Sequence, residues 1–219
     1  MEFDNTLFDK VLWDMPGLEI EQESFRRIEA EMGETALTGH ELKVARRLIH
    51  TTADFSIADN LRFSHNPVTA TRNALSNGAP IYSDSNMIKS GISVAKLKKF
   101  NPDYTRDSIH CYIADPDVAE LAKKNNQSRA LSGLQKAKAI LPGSIVLTGN
   151  APLALAGIVR LYIEEGIKPA IIIGMPVGFV NVLESKELLA ATDIPFVMLE
   201  GRRGGSPLAV ATLHAMMEE

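Results

Sequence analysis

From Ala79 onward, short apolar runs alternate with helix-length segments. The runs cover 80–83, 109–114, 145–148, 170–173 and 196–199. Helical segments lie around 87–100, 117–140, 151–166 and 181–191, and 207–218 follows the last run. This alternation predicts repeated βα units. Runs such as Ile145-Val146-Leu147 and Ile171-Ile172-Ile173 are continuously apolar. Strands of that kind are expected to be parallel and covered on both faces. Five of them predict a three-layer α/β/α, flavodoxin-like sheet.

The chain before Ala79 reads differently. Ile20, Phe25, Ile28 and Met32 recur near helical spacing and predict a helix over 19–34. A second helix is expected from Thr38-Gly39 through Val44, Leu48 and Ile49 to Thr51-Thr52. Pro67 predicts the first turn of a third, with Asn66 as its cap and Asn77-Gly78 as its stop. Residues 53–66 read as polar and irregular, and 1–18 as an extended arm that could pack on a partner subunit. No Pro/Ser/Gly-rich linker divides the chain. The expectation is therefore one domain over 1–219: a helical extension, 1–78, on a parallel βα core, 79–219.

Composition narrows the function classes. The chain is 45% hydrophobic and 23% charged, with a net charge of −4, so no global basic field argues for nucleic acid. One cysteine, Cys111, excludes an internal disulfide and points to a reducing compartment, the cytoplasm. The acidic start, Met1-Glu2-Phe3-Asp4, does not read as a signal peptide. The strongest apolar stretch, 151–162, is too short to span a bilayer, so no membrane partner is expected. His40, His65, His110 and His214 are scattered without metal-ligand spacing, so no metal site is expected.

Ligands of open parallel sheets bind beyond the carboxyl ends of the strands. Four loops fall there: Ser83-Asp84-Ser85-Asn86-Met87, Thr148-Gly149-Asn150-Ala151-Pro152, Gly174-Met175-Pro176-Val177-Gly178-Phe179, and Glu200-Gly201-Arg202-Arg203-Gly204-Gly205-Ser206-Pro207. Each alone could be a turn or a strand exit. None is a dinucleotide, Walker-type or nucleophile-elbow motif. Together they make a polar, Gly-lined, Arg-bearing rim suited to a large anionic small molecule. The candidate rim residues are Asp84, Asn150, Pro176, Gly178, Arg202, Gly205 and Ser206. Elsewhere, 45–54 sets His50 beside Arg46 and Arg47 at a helix end. An imidazole titrates near neutrality and guanidiniums suit carboxylates. Taken alone, that stretch reads better as a histidine that merely caps the helix C-terminus.

The stretches Arg47-Leu48-Ile49-His50, Gly78-Ala79-Pro80-Ile81 with Asp84 and Met87, Gly149-Asn150-Ala151-Pro152, Gly174 to Val180 with Glu184-Ser185-Lys186, and Gly201 to Ser206 occur in an order and spacing that is specific as a set. Over about residues 19–215 the chain resembles the precorrin-8X methylmutase family, including its cobalt-precorrin-8 counterparts. The resemblance implies a flavodoxin-like homodimer in cobalamin biosynthesis that uses no organic cofactor. Its reaction moves a methyl group from carbon 11 to carbon 12 of a corrinoid tetrapyrrole, giving hydrogenobyrinate or the cobalt-containing cobyrinate. It places the catalytic histidine, a proton donor, at His50, and substrate contacts at Ser24, Arg47 and Arg129. Thr51-Thr52 departs from the smaller residues expected there. A non-catalytic corrinoid carrier would share the rim without needing His50.

Overall fold

The computed structural model describes residues 4–218 as two compact units, one up to Ala36 and one from Leu37 onward. The helical extension expected over 1–78 divides at that boundary, so its second and third helices belong to the larger unit.

In the smaller unit, the expected extended arm is partly wound. Asp4 accepts from the Thr6 N–H (3.0 Å) and caps a 3₁₀ turn over Asn5–Lys10. The Trp13 indole N–H donates to the Phe8 carbonyl (3.0 Å) and closes the arm on itself. Residues 1–3 of the arm lie outside the described residues. Helix α1, Gly17–Met32, follows and ends where Gly33 turns to a φ of 66°. Ser24 stands half-buried on α1. Leu12, Trp13 and Leu18 leave about two thirds of their surfaces in solvent (63, 66 and 67%).

The larger unit begins with α2, Gly39–Thr52, then a short α3, Ile57–Asn60, strand β1, Leu61–Ser64, and α4, Pro67–Ser76. Strand β2, Ile81–Ser83, is followed by α5, Asn86–Gly91, α6, Val94–Leu97, and β3, Ile109–His110. Then come α7, Pro116–Lys124, α8, Arg129–Ala137, β4, Ile145–Thr148, and α9, Pro152–Glu165. Strand β5, Ile171–Gly174, α10, Val182–Ala190, β6, Phe196–Leu199, and α11, Ser206–Met216, complete it.

The sheet order is β1-β6-β5-β4-β2-β3. The five expected strands, β2 to β6, are all parallel and ordered as in a flavodoxin-like sheet. The sixth, β1, is antiparallel on β6, pairing Leu61 with Leu199 and Phe63 with Val197. It falls in the segment expected to be irregular. Its signal is one short alternation, Leu61-Arg62-Phe63-Ser64, and its order comes from pairing with β6. Strand β3 is shorter than expected, because Asp115-Pro116 soon opens α7. Asn66 sits before Pro67 as expected, but its φ is 54° and its side chain makes no cap bond.

Successive residues of the central strands face opposite layers, and both layers are buried. Val146, Ile172, Phe196 and Met198 share a core with Leu134 of α8, Leu155 and Ile158 of α9 and Leu189 of α10. Ile145, Leu147, Ile171, Ile173 and Val197 are fully buried on the other side, where α11 packs on β4 and β5 and carries α2, α4 and α5 against it. This double burial produces the continuous apolar runs.

Asp84 ties β2 to the next βα unit. It is 2% exposed, and its carboxylate accepts from three consecutive amides: Gly149 (3.1 Å), Asn150 (2.8 Å) and Ala151 (2.6 Å). The last of these N–H groups belongs to Ala151, the N-cap residue of α9, and the other two to the loop that leads into it. Burial pushes the Asp84 carboxyl pKa up, and the three amides pull against that shift by favouring the anion. Asp84→Ala should leave three backbone donors unpaired, the Gly149 N–H fully buried, and cost on the order of 3 kcal/mol. Urea unfolding checks this; a loss under about 1 kcal/mol would contradict the assignment.

Candidate active site

Helix α2 buries Val44, Ala45, Leu48 and Ile49. That leaves Arg47, His50 and Thr51, at i, i+3 and i+4, on an adjoining stripe. Ala53 stops the helix in the left-handed conformation (φ 53°) and donates its N–H to the Ile49 carbonyl (2.7 Å). His50 is therefore in the last turn, as a dipole-capping residue would be, and it is exposed.

The opposing wall comes from α11. Pro207, Val210, Ala211 and His214 follow one another at helical spacing, and with Arg47, His50 and Thr51 they line one cavity of about 430 Å³. Met87, Lys96 and Ser206 complete the parts of its lining that bear on chemistry. Arg47 is 15% exposed and its Nη2 lies 2.5 Å from the Glu218 carboxylate. The same carboxylate is 3.8 Å from the Lys96 ammonium. Ser206 shares a 2.8 Å hydroxyl–hydroxyl bond with Ser85. The Thr51 hydroxyl donates to the Arg47 carbonyl of its own helix (2.8 Å).

Behind this wall the strand-end loops are joined through their backbones. The Gly205 N–H donates to the Met175 carbonyl (2.8 Å) and the Gly178 N–H to the Arg202 carbonyl (3.2 Å). A Cβ on Gly204 would stand 2.2 Å from the Met175 carbonyl oxygen, and one on Gly149 would stand 2.8 Å from the Ser206 backbone. Neither position has room for a side chain. Lys186, 3% exposed, donates from Nζ to the carbonyls of Gly201 and Arg203, both at 2.8 Å. Burial lowers the Lys186 pKa to about 8. Arg203 is held by Asp54 and donates to the Ser56 hydroxyl (2.6 Å), so the loop is also tied to the segment after α2.

The expected residues thus divide. His50, Arg47 and Ser206 meet in one cavity. Asp84 stands behind it, with its carboxylate engaged by the backbone. Asn150 is exposed and gives its amide to Asp84. Pro176 is buried, Gly178 carries a φ of 142° and Gly205 one of 130°, and all three belong to the joined loops. Arg202 is exposed, with its guanidinium 5.6 Å from the Phe179 ring centre. Arg129, exposed at the start of α8, lines a separate cavity with Lys123 and Asn126. Ser24 belongs to the smaller unit.

His214, Lys96 and Glu218 are not singled out as site residues by sequence reasoning, and Lys186 enters it only as part of a motif, with no role. His214 had one usable signal, its place seven residues after Pro207 on a helix whose start was expected at the rim. Its Nε2 accepts from the Ser93 N–H (3.1 Å). Burial, with Lys96 and Arg47 nearby, lowers its pKa to about 4.

Comparison with known proteins bears on the same elements. The profile of the precorrin-8X methylmutase family matches residues 19–219. A cobalt-precorrin-8 methylmutase of Leptospira interrogans is 41% identical over 209 residues, covering 92% of this chain and 93% of the relative. A precorrin-8X methylmutase of Pseudomonas aeruginosa is 37% identical, covering 93% and 96%. The crystal structure of a precorrin-8X methylmutase from Thermus thermophilus superposes with a TM-score of 0.81 at 40% identity, covering 92% of this chain and 95% of that one.

The His214 environment predicts a stability profile. Histidine in an unfolded chain titrates near 6.5, so between that pH and about 4 the unfolded chain binds a proton that folded His214 refuses. The contribution is complete above pH 6.5 and is lost as pH falls towards 4, by on the order of 2 kcal/mol after solvent screening. Urea unfolding at pH 7 and pH 4.5 should show His214→Gln losing less stability across this interval than the parent.

Proposed function

Because this chain belongs to the precorrin-8X methylmutase family, an enzyme class that moves a methyl group within one molecule, we propose that it converts precorrin-8X, or its cobalt-containing counterpart, to hydrogenobyrinate or cobyrinate. The methyl group passes from carbon 11 to carbon 12 of the macrocycle. The observation that carries this reading is the meeting of His50, Arg47 and the start of α11 in one cavity.

The physical demands of the reaction match what the cavity offers. The substrate is a flat, conjugated ring edged with carboxylates. Met87, Val210 and Ala211 offer apolar contact to the ring, and Arg47 and Lys96 offer positive charge to its edge. The chain is acidic overall, yet the charge near the ligand is set by these two side chains and the one Glu218 carboxylate they share, a net positive balance. A methyl shift breaks and forms one carbon–carbon bond within the ligand and needs no nucleophile from the protein. It is favoured by polarising the π-system. We assign that role to His50, which donates a proton to the ring; general acid catalysis of this kind contributes ~10²–10⁴-fold.

The cavity volume, about 430 Å³, falls toward the small end of sites that enclose even a drug-sized ligand. A corrinoid would therefore extend beyond it. A second copy of the chain packed over the opening would enclose the rest, making the working form a homodimer. Exposed Phe179 and Val180 of the larger unit provide apolar surface for that association. In this arrangement Arg129, remote from the His50 cavity of its own chain, serves the site of the other copy. The cytoplasm, where a corrinoid pathway would supply the substrate, is the proposed compartment.

His50→Ala should lower turnover at least 10²-fold while the folded protein still binds hydrogenobyrinate; unchanged turnover would remove His50 from the chemistry. The assay follows the absorption spectrum with metal-free and cobalt substrates. Arg129→Ala should raise the Kd for corrinoid more than it lowers turnover. Mixing and reassociating the two inactive or weakened variants should restore activity if sites span two copies, because some hybrids then hold one intact site. Light scattering should give twice the chain mass.

A further inference from the structure

The groups lining the His50 cavity differ in what they leave available. Arg47 and Lys96 share the Glu218 carboxylate, at 2.5 and 3.8 Å. Ser206 is bonded to Ser85, and Thr51 donates to its own helix. His214 is different. A backbone N–H can only donate, so the 3.1 Å contact from Ser93 requires a lone pair on Nε2. In the neutral ring the proton is then on Nδ1, for which the described residues provide no acceptor. Burial and the two nearby cations keep the ring in this neutral form at neutral pH.

From this geometry we infer that His214 is a second ligand-contacting residue: anchored through Nε2, it offers Nδ1–H to a peripheral carboxylate of the corrinoid. The inference rests on the reading of this cavity as the corrinoid site. The ring lines the His50 cavity and also the adjoining one, which Arg72, Lys96 and Lys99 make basic. Its position between two cavities with cations on both sides favours an anionic group over a neutral one. A neutral donor also suits a position already beside two cations. A third positive charge there would meet both desolvation and repulsion. The Ser93 contact fixes the ring's orientation before ligand arrives, which reduces the ordering cost of the bond.

The two ring nitrogens can be tested separately. In His214→Gln the side-chain amide reaches the Nε2 position and can accept from Ser93, but the Nδ1 donor is gone. In His214→Asn the amide nitrogen replaces Nδ1, and the Ser93 contact is gone. Absorption titration with hydrogenobyrinate should show about tenfold weaker binding for His214→Gln, the worth of one hydrogen bond to a charged group. His214→Asn should bind within about threefold of the parent. Equal binding by His214→Gln and the parent, or equal weakening in both variants, would overturn the inference. ¹⁵N imidazole spectra of the unsubstituted protein test it without mutation. They should show Nδ1 protonated and its signal shifted by hydrogenobyrinate, and a proton on Nε2 or an unmoved signal would refute it. Arg47→Ala and His50→Ala serve as controls. If both leave binding and turnover intact, the cavity is not the corrinoid site; if they act and His214→Gln does not, only the His214 assignment fails.

Discussion

One buried carboxylate sets the shape of the sheet's carboxyl edge. Asp84 leaves β2 and accepts from three amides ahead of α9, so the ends of β2 and β4 cannot shift independently. The loop it holds includes Gly149, which lies against the backbone of Ser206 at the start of α11. From there the order passes to Gly204 and Gly205, pressed on Met175, and to Lys186, which holds the carbonyls on either side of Arg202. Each contact uses backbone atoms and tolerates little displacement. The cavity wall on α11 is therefore positioned by a residue that never faces the cavity.

Charge in the cavity is arranged as sparingly as space is. Two cations stand at the border with a neighbouring basic cavity and share one carboxylate. A neutral imidazole stands beside them and another imidazole opposite. The ligand-facing surface is thus moderately positive within a chain of net charge −4. A polyanionic ring would find local attraction there, with solvent-exposed acidic residues elsewhere setting the overall sign.

Much of the fold could be read from the chain because parallel strands buried on both faces announce themselves as unbroken apolar runs. Ile145 to Thr148 and Ile171 to Gly174 are such runs, and Pro152 and Pro207 mark helix starts just after strand ends. Strand β1 was not legible, since four residues with Arg62 exposed carry no periodicity that survives without β6 beside them. At the site, sequence motifs pointed to His50, Arg47 and Ser206, which do line one cavity. They could not separate residues that face the cavity from those that build it, because a glycine or aspartate at a strand end reads the same in either role. Asp84, whose buried carboxylate is taken up by backbone amides, is of the building kind. His214 was invisible for the opposite reason: an isolated histidine in an apolar helix resembles a core residue until the neighbouring helix is placed.

The pairing of α2 with α11 brings Arg47 and His50 beside residues roughly 160 positions later in the chain. No part of the cavity exists while only the early helices have been synthesised. Bringing such distant partners together carries a loop-closure entropy cost, which the packing of the intervening parallel strands offsets. The cavity is therefore complete only when α11 is packed on α2, and it depends on the whole sheet that lies between them in the chain. A bound corrinoid, gripping both helices at once, would act as a clasp on the finished fold, raising its resistance to unfolding with the logarithm of ligand concentration.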